Sequence, residues 1–303
     1  EDARTFWSPV IEGQTAIIEM ELPSSANPED LEISLPQISH LFQSPYGVMG
    51  MEENAAAPCE LDVMCSPAWD GQSKATARMI FTKLGASFLC TGTLLNDADP
   101  ATYIPYFYTA YHCISTQTAA SSLQTYWFWR ATACNSGIQG NSKSLIGGAD
   151  LLYASETTDT SFMRLSSPPP AGAIFAGWSA SLPATYTSLT GIHHPGGDLQ
   201  KISFGYQESY WHCWDAGQGA FSCLSASAND ADHYSVIWNS GITEPGSSGS
   251  GIFLNDSLQF VGSLLGGTSN CVNPSGHDFY GRFDIPYQAE IYKWLNSPFH
   301  DVS

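Results

Sequence analysis

Ser248 lies in the run Glu244-Pro245-Gly246-Ser247-Ser248-Gly249-Ser250-Gly251, and His112 lies in Thr109-Ala110-Tyr111-His112-Cys113. A serine hydroxyl is a weak nucleophile at neutral pH, and a neighbouring imidazole that takes its proton makes it a strong one. Glycine two positions before the serine lets the backbone turn its amides toward one point, where a developing oxyanion can sit. Either run alone is an ordinary loop. Together, in this order, they point to acyl transfer through a serine.

Such a pair needs a buried carboxylate to orient the imidazole and stabilise its protonated form. Asp159 stands out, because Thr158-Asp159-Thr160-Ser161 leads directly into the apolar run Phe162-Met163-Arg164-Leu165. A carboxylate at the mouth of a buried strand can be desolvated and still hydrogen-bonded. Asp150 and Glu156 are the alternatives.

The elements that must carry these groups are short. From Cys59 onward, apolar runs such as Phe88–Leu95, Tyr103–Tyr108, Gln124–Arg130, Gly251–Leu254 and Phe260–Leu265 alternate with Gly, Pro, Asn, Asp and Ser. That is an all-β sandwich or barrel pattern. Near the end, Asp284-Ile285-Pro286 predicts a helix over residues 286–296, with Ala289, Tyr292 and Leu295 on one face. Residues 1–58 contain Arg4 as their one Lys or Arg and no cysteine. They read as an N-terminal extension, with one strand expected over Thr15–Leu22, and residues 59–303 as the main domain.

The 303 residues carry 10 Lys plus Arg against 29 Asp plus Glu, a net charge of −19. That balance argues against nucleic-acid or anionic-membrane partners, which require clustered basic side chains. It favours solubility, and an enzyme that cuts at basic residues gains by having few. No apolar stretch is long enough for a spanning helix. No basic leader with an apolar segment opens the sequence, so export implies a signal already removed. Eight cysteines at 59, 65, 90, 113, 134, 213, 223 and 271 include no Cys-x-x-Cys pair. They read as disulfides of an oxidising compartment, whose pairing counting leaves open. His193-His194 lacks a suitably spaced third ligand, so no metal and no cofactor are expected, and Asp97-x-Asp99 and Asp230-x-Asp232 read as acidic loops.

Several runs carry a family resemblance. They are Cys59-Glu60-Leu61-Asp62-Val63-Met64-Cys65, Cys90-Thr91-Gly92-Thr93-Leu94, Thr109–Cys113, Ile192-His193-His194-Pro195, Thr243–Ser250 and Asp278-Phe279-Tyr280-Gly281-Arg282. Collinear from Cys59 to the C-terminal helix, they resemble the chymotrypsin-like serine proteases, and most closely the bacterial lysyl endopeptidases. The resemblance implies two antiparallel six-stranded β-barrels with a C-terminal helix and the site in the cleft between them. It implies His112 as general base, Asp159 as orienting acid, Ser248 as nucleophile, and the N–H groups of Gly246 and Ser248 as oxyanion hole. It implies the disulfides Cys59–Cys271, Cys65–Cys134 and Cys90–Cys113, leaving Cys213 with Cys223.

Trypsins place an aspartate six residues before the nucleophile, where this chain has Ile242. The lysyl endopeptidases supply the pocket carboxylate from a downstream strand, and Asp278 matches it; the other reading makes Asp278 an exposed turn residue. Thr243, Leu265 and Gly266 join it as expected pocket residues. The family has histidine where this chain has Leu265, which removes a polar wall. Ser247 stands where chymotrypsin-type zymogens hold the aspartate that pairs with a new N-terminus, so that ion pair is absent. The resemblance thus implies a secreted or periplasmic, monomeric serine endopeptidase, made as a zymogen, that cuts proteins after Lys or also Arg. Residues 1–58 resemble the tail of its propeptide. The alternatives are a same-fold protease with another preference before the cut, and a zymogen-like or non-catalytic binding homologue.

Overall fold

Fifteen strands form among the described residues of a computed structural model, which are 7–11, 13–27, 29, 34–35, 37–39, 56–99, 101–217 and 219–296. In chain order they are β1 (Leu61–Asp62), β2 (Thr76–Lys83), β3 (Ala86–Leu95), β4 (Tyr106–Ala110), β5 (Gln124–Trp127), β6 (Lys143–Leu145), β7 (Ala149–Ser155) and β8 (Thr160–Leu165). The second half adds β9 (Ser188–His193), β10 (Lys201–Gly217), β11 (Ala220–Ser225), β12 (His233–Ser240), β13 (Gly251–Leu254), β14 (Phe260–Gly267) and β15 (Asp278–Arg282).

Every ladder is antiparallel. The first half is one sheet in the order β6-β5-β2-β3-β4-β8-β7. In the second half β9-β10-β12-β15-β14-β13 returns to β9, which closes a six-stranded barrel. β1 and β11 attach to β10 outside that ring. The fold is therefore the expected all-β, chymotrypsin-like one, with the second half a closed barrel and the first a curved seven-stranded sheet.

β4 shows why the halves hold together. All five of its residues are buried. Alternation sends Phe107 into the first half's core, with Met79, Trp127 and Met163, and Ala110 joins that core at the strand's end. Tyr106 and Tyr108 enter a second cluster shared with Phe253 and Phe260 of the second half and Phe283, Ile291 and Leu295 of the C-terminal helical segment. The Tyr108 ring lies 5.0 Å from Phe260 and 5.7 Å from Phe283. Each fully buried aromatic here contributes about 1.5–3 kcal/mol of apolar transfer.

Consecutive helical turns span Asp284–Pro286, Tyr287–Ile291 and Tyr292–Leu295. Arg282 grips the Asp284 carboxylate with two guanidinium nitrogens, at 3.0 and 2.6 Å, and so fixes their start. The expected face is only partly the buried one: Leu295 packs inward as expected, but Ala289 and Tyr292 are exposed and Ile291 is buried in their place. The wide π turn over Tyr287–Ile291 rotates later residues away from a regular 3.6-residue periodicity. The strand expected over Thr15–Leu22 is also not formed. That stretch pairs with nothing among the described residues, and Ile17 is exposed. Without a partner ladder, alternation alone cannot hold a strand.

Cys59–Cys271, Cys65–Cys134, Cys90–Cys113 and Cys213–Cys223 are joined.

Candidate active site

His112 follows β4 in a tight turn whose next residue, Cys113, is bonded to Cys90 of β3. Closing that loop stabilises the fold by on the order of 3 kcal/mol and fixes the start of the turn. The imidazole is 41% exposed, so it faces solvent rather than the core.

Asp159 sits in the turn between β7 and β8 with a left-handed backbone, φ +46°. Asp tolerates this region better than most residues, yet a buried one held there marks a conformation enforced by its surroundings. Its Oδ1 accepts the His112 backbone N–H at 2.8 Å, and its Oδ2 lies 2.7 Å from His112 Nδ1. Its carbonyl takes the Tyr111 N–H at 3.0 Å. A carboxylate only accepts, so Nδ1 carries the proton and Nε2 presents a lone pair to the crevice. Of the alternatives, Asp150 pairs with Arg164 at 3.0 Å, and Glu156 is an exposed residue of the turn before Asp159.

Ser248 lies on the loop between β12 and β13, and that loop's carbonyls are turned away from the crevice. Pro245 O accepts from Gly196 N–H at 2.7 Å, Gly246 O from Thr91 Oγ1 at 2.9 Å, and Ser248 O from Thr91 N–H at 2.8 Å. The Ser247, Gly249 and Ser250 amides donate to Glu244, Leu264 and Ser247 carbonyls. The Gly246 and Ser248 amides make no backbone hydrogen bond among the described residues. Gly246 adopts φ +97°, and a Cβ there would stand 2.9 Å from His194 O. Glycine is thus what lets this turn leave two adjacent donors free.

Close packing brings Ser248 to the His112 side. A Cβ on Gly249 would lie 2.7 Å from Ala110 N, and Thr91, which binds Ser248, adjoins the Cys90 that holds Cys113. His112 Nε2 is 3.8 Å from Cys113 Sγ; both nearby sulfurs belong to the disulfide and offer no thiolate.

Asp278, the first residue of β15, is fully buried and is no exposed turn residue. Its Oδ2 accepts from Trp238 Nε1 at 2.6 Å, Thr243 Oγ1 at 2.7 Å and Ser269 Oγ at 2.7 Å. Its Oδ1 accepts the Ser269 N–H at 3.1 Å. Four neutral donors hold a buried anion that has no Lys or Arg partner among the described ion pairs. Gly266 and Gly267 pair with Phe279 and Asp278 across β14 and β15, and Phe221 of β11 covers Gly266. Leu265 is half-buried at the bulge between them.

Trp238, Ser269 and Thr91 are site residues that motif reading missed. Trp238 and Ser269 lie 40 and 9 positions from Asp278, and strand pairing alone makes them neighbours. Thr91 lies in Cys90–Leu94, a run whose cysteine is its one visible signal.

A family profile described as the lysyl endopeptidase C-terminal domain matches residues 53–281, and one for the lysyl endopeptidase N-terminal domain matches residues 1–42. A lysyl endopeptidase of Pseudomonas aeruginosa is 37% identical over 302 residues, covering 94% of this chain. The chain spans 62% of that relative's length. Among solved structures, an inactivated protease paralogue of the scabies mite superposes with TM-score 0.50 at 14% identity, covering 78% of this chain and 99% of that one. A protease of M. tuberculosis gives 0.49 at 12%, covering 79% and 91%. The superposition at 0.50 speaks for the fold, and the profile over residues 53–281 speaks for kinship: the chain belongs to the lysyl endopeptidase family.

Proposed function

We propose that this chain is a serine endopeptidase that cuts after lysine, and less readily after arginine, through an acyl-enzyme. The supporting observation is the 2.7 Å Asp159–His112 pair beside a loop whose Gly246 and Ser248 amides have no backbone acceptor. Ser248 Oγ attacks the scissile carbonyl while His112 Nε2 takes its proton, and the Gly246 and Ser248 N–H groups hold the oxyanion. His112 then protonates the leaving amine. Water, deprotonated in turn by His112, releases the acid. Asp159 keeps the proton on Nδ1 and stabilises the imidazolium that forms.

Asp278, with Thr243 beside it and Leu265 and Gly266 on the neighbouring strand, forms the proposed lysine pocket. A buried carboxylate held only by neutral dipoles gains most from an incoming ammonium. The family name supports this preference, while Leu265 and Phe221 shape an apolar entrance. Residues 1–58 are read as a propeptide-like extension. Export to an extracellular or periplasmic space fits the four disulfides. No helix among the described residues is long and apolar enough to cross a membrane.

Labelling with a serine-directed phosphonate, followed by mass mapping of a denatured protein digest, tests the reading. Wild-type protein takes up one label and cuts after Lys, and Ser248→Ala does neither while keeping its fold. An unlabelled wild type makes the chain a binding homologue, and cleavage after other residues moves the pocket assignment elsewhere.

A further inference from the structure

The residue before Ser248 is fully buried Ser247, and no charged anchor is available there. Its Oγ lies 2.8 Å from Nδ1 of His193, which ends β9 and is itself fully buried. His193 Nε2 lies 3.2 Å from Ser203 Oγ of β10, and Ser203 Oγ donates to the Ile242 carbonyl at 2.7 Å. The Glu244 N–H donates to Ser247 Oγ at 3.3 Å.

These partners fix every proton. A serine hydroxyl has one proton to give. Ser203 gives its own to Ile242, so it accepts from His193 Nε2–H. Nδ1 is then a bare lone pair that accepts from Ser247 Oγ–H, and Ser247 accepts from Glu244 N–H. Glu60 Oε2, 3.7 Å from Nε2, is beyond hydrogen-bonding reach and leaves Ser203 as the partner. Burial pushes the His193 imidazole down to about 3, so the ring stays neutral, as this arrangement demands.

We propose that His193 and Ser247 are positioning residues: the neutral chain Ile242–Ser203–His193–Ser247–Glu244 clamps the loop that presents Ser248 and the two free amides. It ties residues 242, 244 and 247 to β9 and β10, two paired strands of the closed barrel. The loop is then held in working geometry without any charged group arriving from elsewhere. The proposal rests on Ser248 being the nucleophile.

Two substitutions at one position separate hydrogen bonding from packing. In His193→Asn the amide oxygen can stand where Nδ1 stood and accept from Ser247. In His193→Gln the amide nitrogen can stand where Nε2 stood and reach Ser203, and more of the ring's volume is kept. The clamp requires Asn to retain more kcat than Gln, whereas a packing role requires the reverse order. Ser247→Ala is expected to lower kcat and the phosphonate labelling rate about 10- to 100-fold, with KM little changed, because a small misplacement of reacting groups costs that much. Combining Ser247→Ala with His193→Gln should cost little more than either change alone.

A Ser247→Ala enzyme with wild-type kcat, or Gln outperforming Asn at 193, overturns the clamp while leaving the peptidase reading intact. Wild-type protein that takes up no phosphonate overturns both. Should the His193 variants fail to fold, Ser247→Ala decides.

Discussion

Asp278 and Glu60 are both buried carboxyl groups, and their surroundings give them opposite roles. Asp278 has four donors; replacing it by Asn sets an amide N–H against one of them and removes the charge. Losing a desolvated charge partner for a cationic side chain costs about 2–5 kcal/mol. Asp278→Asn should therefore lower kcat/KM for lysyl substrates by a corresponding factor and leave uncharged substrates little affected, which parallel assays on the two classes check. The Glu60 carboxyl has no hydrogen-bond partner among the described residues, and burial, with Glu244 as the next cause, pushes it up to about 9. The folded state therefore keeps a proton that the unfolded chain releases near 4.5, and stability falls as pH rises between those values. The slope is about 1.4 kcal/mol per pH unit for one group. Glu60→Gln should remove it, so that denaturation midpoints between pH 7 and 9 fall in wild type and stay flatter in the variant.

At the scale of elements, the loop carrying Ser248 and β4 touch through Gly249. With φ +79°, a Cβ there would stand 2.1 Å from Thr109 Oγ1 and 2.6 Å from Thr91 O. Gly249→Ala must push the loop off β3 and β4. Overpacking of this kind costs about 1–3 kcal/mol, and the displaced loop takes Ser248 with it. The expected outcome is a lowered Tm together with near-complete loss of phosphonate labelling. A variant that labels at the wild-type rate would show that this contact does not set the site. The shared aromatic cluster predicts a different pattern. Phe260→Ala removes a ring packed on Tyr108, Phe253 and Phe283 and should cost about 3–5 kcal/mol, read from denaturant unfolding.

Across the whole molecule, the N-terminal segment lies on the protease domain at several places. Gln124 of β5 donates to Ser8 O at 3.0 Å and accepts the Val10 N–H at 3.3 Å, and Val10 packs near Ile80, Tyr126 and Trp129. At the other end, Ala56 and Ala57 donate to Asp198 and Glu244, each at 2.9 Å. No Lys or Arg occurs from residue 5 to residue 73. An enzyme that cuts after basic residues therefore cannot release this segment at the junction by its own preference. Wild type and Ser248→Ala produced in the same host should both keep residues 5–58, which intact-mass measurement checks; loss of that stretch in wild type alone would show self-processing and a broader specificity.

The proposed triad could be picked out from the residues because each sits in a local context that suits serine chemistry, and the 2.7 Å Asp159–His112 pair is the part of it that the geometry displays. His112 is flanked by a strand and a cysteine, Asp159 stands at a strand mouth, and Ser248 lies in a glycine turn. The short apolar runs likewise announced an all-β molecule, since a period of two survives in any half-buried strand. Local pattern misplaced the helix face at Ala289 and Tyr292, because the π turn over Tyr287–Ile291, whose Tyr287 packs on Phe283 and Trp178, departs from a 3.6-residue periodicity. Thr243 was foreseen beside Asp278, but the other donors, Trp238 and Ser269, were hidden, as was the His193–Ser247 contact, 54 positions apart. Hydrogen-bond partners of buried groups are assigned by whichever strands the barrel makes adjacent, and a linear sequence carries no record of that adjacency.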